Sequence, residues 1–297
     1  MYNPLKPEYL WRPSQILRRV SYQPSDDAAS LRLPWKCRIS ACPGEIIGHS
    51  IATQGIYDLP VTEAIIRLSD AGDTALDVGA NIGYMTLVLA LAVGQQGRVI
   101  CFEPNTDVLP RLHANVDSWS SLHIAPIEIR TAALSNQNGE GCLGFPAGYG
   151  KNCGLASLEM EDGSIPVKLS RLDALDIHVA GLMKVDVEGH ESAVFSGAHS
   201  LLAGKRIRDI LFEELNPYPA PSHTMLLDCG YHIFRLTRSV GRPLLLPPGA
   251  PPRQSYLPSN FLATIDPCRA RDRFEAWGWR ALSAEPRVNR RTQTADA

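Results

Sequence analysis

Three short runs concentrate the residues that can do chemistry. The first is Leu76-Asp77-Val78-Gly79-Ala80-Asn81-Ile82-Gly83, which reads as an apolar strand end, a tight turn and the start of a helix. Gly79 has no Cβ and lets the backbone come close to a ligand. The helix beyond Gly83 opens with N–H groups that have no partner inside the helix. Asp77 stands at the carboxyl end of the strand, where open α/β sheets bind ligands. The second run is Val99-Ile100-Cys101-Phe102 with Glu103 at its end, about 20 residues after Gly83. A carboxylate placed there accepts hydrogen bonds from the hydroxyls of a ribose. A glycine turn alone fits a plain loop, and Glu103 alone fits a solvated acid. At this spacing the two together point to a nucleotide-type ligand.

The turn also discriminates among nucleotides. A dinucleotide fingerprint is G-x-G-x-x-G, whose middle glycine makes room for a pyrophosphate. Here Asn81 stands in that place, between Gly79 and Gly83. Asp77 ahead of the turn would repel a phosphate. Both features disfavour NAD and FAD, and so the competing reading of an NAD-dependent oxidoreductase. A carboxylate suits a cofactor that carries an ammonium or sulfonium group, and S-adenosylmethionine carries both. A non-catalytic scaffold that keeps the sheet is a third reading.

The third run is Lys184-Val185-Asp186-Val187-Glu188-Gly189-His190-Glu191. Read as the end of a strand, it sends Asp186 and Glu188 off one face and Val185 and Val187 off the other. Transfer to a hydroxyl needs alignment of the reacting atoms and a base for the proton. Histidine is the usual general base at neutral pH, which makes His190 a candidate, and Asp186 and Glu188 are alternative bases or positioning groups. The plainer reading has Glu188 and Glu191 complementing a helix N-terminus, with Lys184 paired to an internal carboxylate such as Glu213. The carboxylates, with Glu213 and Glu214, are also a minor candidate for holding a divalent cation. The other seven histidines are scattered and read as structural.

These runs need a scaffold. Strands are expected over 75–78, 98–102, 124–134, 182–187 and 207–213, with helices over 82–93, 106–116 and 190–203. Regular alternation of this kind predicts a parallel sheet with helices on both faces. A helix over 59–69 precedes it; a helix over 223–229 and strands over 231–236 and 260–265 follow. Residues 1–35 read as an irregular arm with one short helix over 14–20. Residues 34–51 read as two short strands around the Pro43-Gly44 turn. The glycine-rich segment 136–167 interrupts the alternation as strands and loops over one end of the sheet. The proline-dense run 243–252 reads as an extended loop. The expected division is an arm and cap over 1–58, a main domain over 59–268 and an extension over 269–297 ending in a frayed tail.

Four segments together resemble the FkbM family of methyltransferases: residues 77–83, Phe102-Glu103-Pro104-Asn105, Ala133-Leu134-Ser135 and the run from Lys184 to Glu191. The resemblance implies a class I methyltransferase fold: a mostly parallel, seven-stranded Rossmann-like sheet with an extra antiparallel strand at its edge. It implies S-adenosylmethionine as cofactor and an O-methyltransferase acting on a sugar or natural product. Asp77, Gly79, Ala80, Asn81 and Gly83 would then line the methionine part of the cofactor. Glu103 would hold the ribose, Pro104 and Asn105 would edge the adenosine pocket, and Ala133 would flank the adenine. Tyr57, in Gly55-Ile56-Tyr57-Asp58, resembles part of the family's N-terminal cover. His190 departs from the small residue usual at its place.

Composition excludes several other classes. With 297 residues, 44% of them hydrophobic, the chain can bury one sizeable core. The formal charge of −2 gives no basic stripe for nucleic acid. Arg287, Arg290 and Arg291 cluster only in the tail. The longest apolar run, over 85–93, is too short to span a bilayer. The prolines and charges near the N-terminus leave no signal core, so a cytoplasmic location and no membrane partner are expected. Seven cysteines make an odd count, which speaks against a disulfide framework. Cys37 and Cys42 form a C-x4-C pair that nothing completes into a zinc set. The expected partner is a small-molecule or glycan substrate.

Overall fold

The computed structural model describes residues 6–144, 157–158, 165–251 and 259–283. The arm holds helices α1 (Pro7–Leu10) and α2 (Ser14–Val20). A hairpin of β1 (Ala29–Arg32) and β2 (Arg38–Ala41) follows, then helices α3 (Ile46–Gln54) and α4 (Leu59–Leu68). The expected strand pair thus lies earlier, and the chain after Pro43-Gly44 enters a helix. The alternation then runs β3 (Thr74–Val78), α5 (Tyr84–Val93), β4 (Arg98–Phe102), α6 (Leu109–Ser118) and β5 (Ile127–Arg130). The expected strand over 124–134 is broken: its end, β6 (Ala133–Leu134), joins β7 (Gly139–Leu143) and β8 (Ile165–Ser170) in a separate sheet of three strands. The turn from Arg130 to Ala132 makes the break, with the Ala132 N–H donating back to the Arg130 carbonyl.

The second half continues with β9 (Ala180–Val185), α7 (Glu191–Gly197), α8 (His199–Ala203), β10 (Ile207–Glu213), α9 (Pro221–Asp228) and β11 (His232–Arg238). It closes with β12 (Pro243–Leu246), β13 (Asn260–Thr264) and α10 (Pro267–Glu275). The main sheet has the order β12-β11-β13-β10-β9-β3-β4-β5, with β5, β4, β3, β9 and β10 parallel. This is a Rossmann-like α/β architecture, a mostly parallel sheet with helices on both faces. The structure corrects two details. The antiparallel β13 lies between β10 and β11, and the run read as a loop supplies an eighth strand, β12, at the edge. Burial explains the order. All five residues of β13 are buried, which demands a paired neighbour on each side, whereas β12 is half-exposed along most of its length.

Two apolar layers flank the sheet. One packs α4 and α5 together with Leu33, Trp35 and Ile39 of the cap and Phe274 of α10. The other packs Val194, Phe195, Leu202 and Leu226 of α7, α8 and α9. A charged latch closes the end opposite the strands' carboxyl termini. Arg208 reaches Asp73 at 2.8 Å and Asp209 at 2.9 Å. From α10, Arg269 reaches Asp209 and Asp70 at 2.8 Å each, and Arg273 reaches Asp70. No helix among the described residues is long and apolar enough to cross a membrane.

Candidate active site

The turn between β3 and α5 carries three residues in the left-handed region: Gly79 (φ 80°), Asn81 (φ 52°) and Gly83 (φ 90°). Asparagine tolerates this region because its short side chain bonds locally, and Asn81 Oδ1 accepts the Ile82 N–H at 2.7 Å. A Cβ on Gly79 would lie 2.0 Å from the Asp186 carbonyl oxygen. Glycine is therefore what allows the turn after β3 to touch the loop after β9. Gly83 serves packing: a Cβ there would lie 2.7 Å from Leu112 of α6.

Glu103 closes the other side of the turn. Its Oε2 accepts the Asn81 N–H at 2.7 Å and its Oε1 the Asn105 N–H at 2.8 Å. Burial pushes this carboxyl above the usual range, against the pull of those two donors and of Lys184. A carboxylate has about four acceptor positions, so two are left for donors from outside the protein.

One cavity gathers eleven of the thirteen residues named from the sequence: Tyr57, Gly79, Ala80, Asn81, Glu103, Pro104, Asn105, Ala133, Asp186, Glu188 and His190. Asp77 and Gly83 stand behind the turn and do not line it, contrary to expectation. Asp77 is fully buried and points its Oδ2 at the Thr86 hydroxyl, 2.6 Å away. The wall also includes residues that sequence reasoning passed over. Tyr84 and Met85 come from α5, Arg111 from α6, and Leu143, Ser157 and Leu158 from the glycine-rich segment. Lys184, which the sequence already set beside an internal carboxylate, lines the cavity too. Its Nζ lies 3.5 Å from Asp77 and 3.4 Å from Asp186, not on Glu213 as proposed.

The rim beyond the turn is rich in carboxylates. β9 ends at Val185, so Asp186 and Glu188 sit in a turn rather than on a strand, with Glu188 at φ 53°. The Glu188 carbonyl accepts the Ser157 hydroxyl at 2.8 Å. Burial, then the nearby Asp186 and Glu191, raise the Glu188 carboxyl to about 7. Burial and the charges of Asp186 and Asp58 raise Glu213 to about 8. Asp58 caps α4 through the Val61 N–H and rises to about 6, mainly by burial. Glu191 accepts the Val187 and Gly189 N–H groups, as a helix-opening acid does. His190 Nε2 lies 2.9 Å from the Ser135 hydroxyl. Among the described residues no group of three or more His, Cys, Asp or Glu is arranged to hold a metal ion.

A carboxylate with acceptor positions to spare, a glycine turn open to a ligand and a rim rich in carboxyl groups fit a nucleoside-type cofactor. The family model described as a methyltransferase FkbM domain matches residues 77–233, more than half of the chain. The chain belongs to the FkbM methyltransferase family. Its cofactor is S-adenosylmethionine, and the dehydrogenase reading falls. The match in this FkbM chain starts at Asp77, covers the turn, Glu103 and the rim, and ends within β11.

Among solved structures, an FkbM methyltransferase from Methylobacillus flagellatus is similar at 13% identity and a TM-score of 0.43, over 66% of this chain and 44% of that one. The chain thus spans less than half the length of that protein. An O-methyltransferase from Thermotoga maritima is 13% identical, at a TM-score of 0.41 over 81% of this chain and 77% of that one. Aeropyrum pernix fibrillarin, solved with bound S-adenosylmethionine, is 16% identical, at a TM-score of 0.37 over 71% of this chain and 70% of that one. No curated protein matches this chain.

Proposed function

We propose that this methyltransferase methylates a hydroxyl group on a small molecule or glycan. The supporting observation is that one cavity holds both the cofactor turn and a carboxyl, Glu188, whose proton affinity is matched to neutral pH. S-adenosylmethionine supplies a methyl group that is already activated. Gly79, Ala80 and Asn81 bind its amino-acid end, and Glu103 holds its ribose. Pro104, Asn105 and Ala133 enclose the adenosine part, and Tyr57 covers the cavity from the cap. The remaining work is to align an acceptor oxygen and to take its proton. Glu188 is partly ionised near pH 7 and accepts that proton. Asp186, paired with Lys184, orients the acceptor. His190 is a second candidate base, held in place by Ser135.

The test has two parts. Calorimetric titration should show S-adenosylmethionine binding, and absence of binding at millimolar cofactor would remove the cavity assignment. A panel of hydroxylated small molecules and glycans, assayed with a methyl-labelled donor, should then yield an O-methylated product. Label appearing only on nitrogen or carbon would overturn the hydroxyl reading. Glu188→Gln should lower turnover by about 10²–10⁴-fold, the usual scale for a general base, with cofactor binding retained.

A further inference from the structure

We propose that Lys184 is a positioning residue of this site, its ammonium group locking the cofactor turn, Asp77 and Asp186 into one charged unit on which cofactor binding depends. The inference rests on reading the cavity as the cofactor site.

Lys184 is 5% exposed. An ammonium has three N–H donors, and three oxygens surround this one: the Gly79 carbonyl at 3.0 Å, Asp186 at 3.4 Å and Asp77 at 3.5 Å. They belong to three places in the chain: the turn after β3, β3 itself and the loop after β9. The pairing of β3 with β9 sets Asp77 directly opposite Lys184. Among the described residues the other guanidinium or ammonium group lining the cavity is that of Arg111, which Glu45 engages at 2.8 Å. Lys184 is therefore a positive charge shared by Asp77, Asp186, Glu188 and Glu103, while Arg238 acts on Asp58.

Other acidic groups lie around this unit, and Glu103 and Glu188 feel the Lys184 charge directly. Glu188 follows Asp186 in the loop, Glu191 opens α7 and Glu213 ends β10. Asp58 caps α4, with Tyr57 just before it, and Glu103 follows β4. Burial raises the carboxyls of Asp77, Glu103 and Glu188, and Lys184 opposes that rise in all three. Without Lys184 these groups hold protons to higher pH. A cofactor that needs an anionic Glu103 and an anionic rim then loses affinity from the acid side upward.

The measurement is S-adenosylmethionine affinity of the full-length protein by calorimetry, from pH 5.5 to 9. In the wild type, binding should weaken only toward acid. In Lys184→Met the midpoint of that loss should move up by about 1–3 pH units, the usual effect of a close opposite charge. Affinity at pH 7 should drop at least tenfold. Lys184→Arg, which keeps the charge, should return the midpoint part of the way. The double variant Asp77→Asn with Lys184→Met removes the buried charge left behind by the single change. It should recover melting temperature while its midpoint stays displaced, and it carries the test should Lys184→Met not fold. A uniform loss of affinity with the wild-type midpoint would make Lys184 a packing residue only and overturn the proposal. Failure of the wild type to bind at any pH is a separate result, which would overturn the cavity reading itself.

Discussion

The two ends of the sheet both collect buried charge, and they treat it in opposite ways. At the latch, Arg208, Arg269 and Arg273 face Asp70, Asp73 and Asp209, and the arginines also donate to the Leu68 carbonyl. Burial acts to raise the Asp70 carboxyl, yet the hydrogen bond from Arg273 and the surrounding guanidinium charges bring it below the usual range. At the rim, Lys184 stands against Asp77, Asp186 and Glu188, with Glu213 and Asp58 close by, and burial prevails: Glu188, Glu213 and Asp58 all rise. The same residue types thus make a fastener at one end and a rim of carboxyls raised toward neutral pH at the other. What differs is the supply of fixed cations. A balanced, hydrogen-bonded cluster holds α10 against β10 and the loop before β3. An unbalanced one keeps protons mobile near neutral pH and leaves negative charge for a ligand to answer.

The largest effect should come from breaking the fastener. Asp209 is fully buried and is held by Arg208, Arg269 and the Thr264 hydroxyl. Asp209→Ala takes one carboxylate from Arg208 and Arg269, leaves the cluster with an excess of positive charge over Asp70 and Asp73, and should cost about 3–5 kcal/mol of unfolding free energy in urea titration. S-adenosylmethionine affinity measured well below the transition should stay at the wild-type value. A loss of affinity with unchanged stability would erase the distinction between the two ends.

The ends should also respond to pH with opposite signs. Glu188 and Glu213 start from an ordinary value of 4.5 and are raised to about 7 and about 8 in the fold. The folded chain binds more protons than the unfolded one across that window, so their contribution is full below about pH 4.5 and is lost as pH rises through 7 and 8. Asp70, lowered in the fold, contributes above its ordinary value and loses that contribution as acid protonates it. Unfolding free energy should therefore decline from pH 5 to 8.5. Replacing Glu188 and Glu213 by Gln should flatten the decline, a gain of about 1–2 kcal/mol per residue at the alkaline end once solvent screening is allowed for. An unchanged slope in the double variant would show the rim to be as well compensated as the latch.

How much of this was legible follows from whether a feature is local. The turn was readable because positions 79, 81 and 83 need left-handed backbone, which glycine and asparagine supply. Glu103 was readable because its distance from the turn is set by one helix and one strand. Asp77 was named correctly as a strand-end acid but placed wrongly, because its direction depends on α5 packing over β3 and on Thr86 waiting there. The latch was invisible: its charges lie far apart in sequence, from Asp70 to Arg273, and only the sheet brings them together. The same holds for Lys184, whose partners Asp77 and Gly79 are cross-strand neighbours. The order of β12 and β13 depended on burial, which neither proline content nor an apolar run of five residues reveals.

The smallest effect tests what closes the rim. Ser157 is buried and donates to the Glu188 carbonyl, so it pins the one non-glycine residue of this loop held at positive φ. Left-handed backbone at such a residue costs about 1 kcal/mol or more and needs an outside tie to persist. Ser157→Ala removes the tie and should cost about 0.5–1.5 kcal/mol of stability. The more telling readout is the pH at which stability falls. A looser loop admits water to the Glu188 carboxyl and lowers its raised value, so the decline, which starts at the ordinary carboxylate value in either protein, should end at a lower pH than in the wild type. A loss of stability with the decline unmoved would mean that the carboxylates around Glu188, rather than the closure by Ser157, hold its proton.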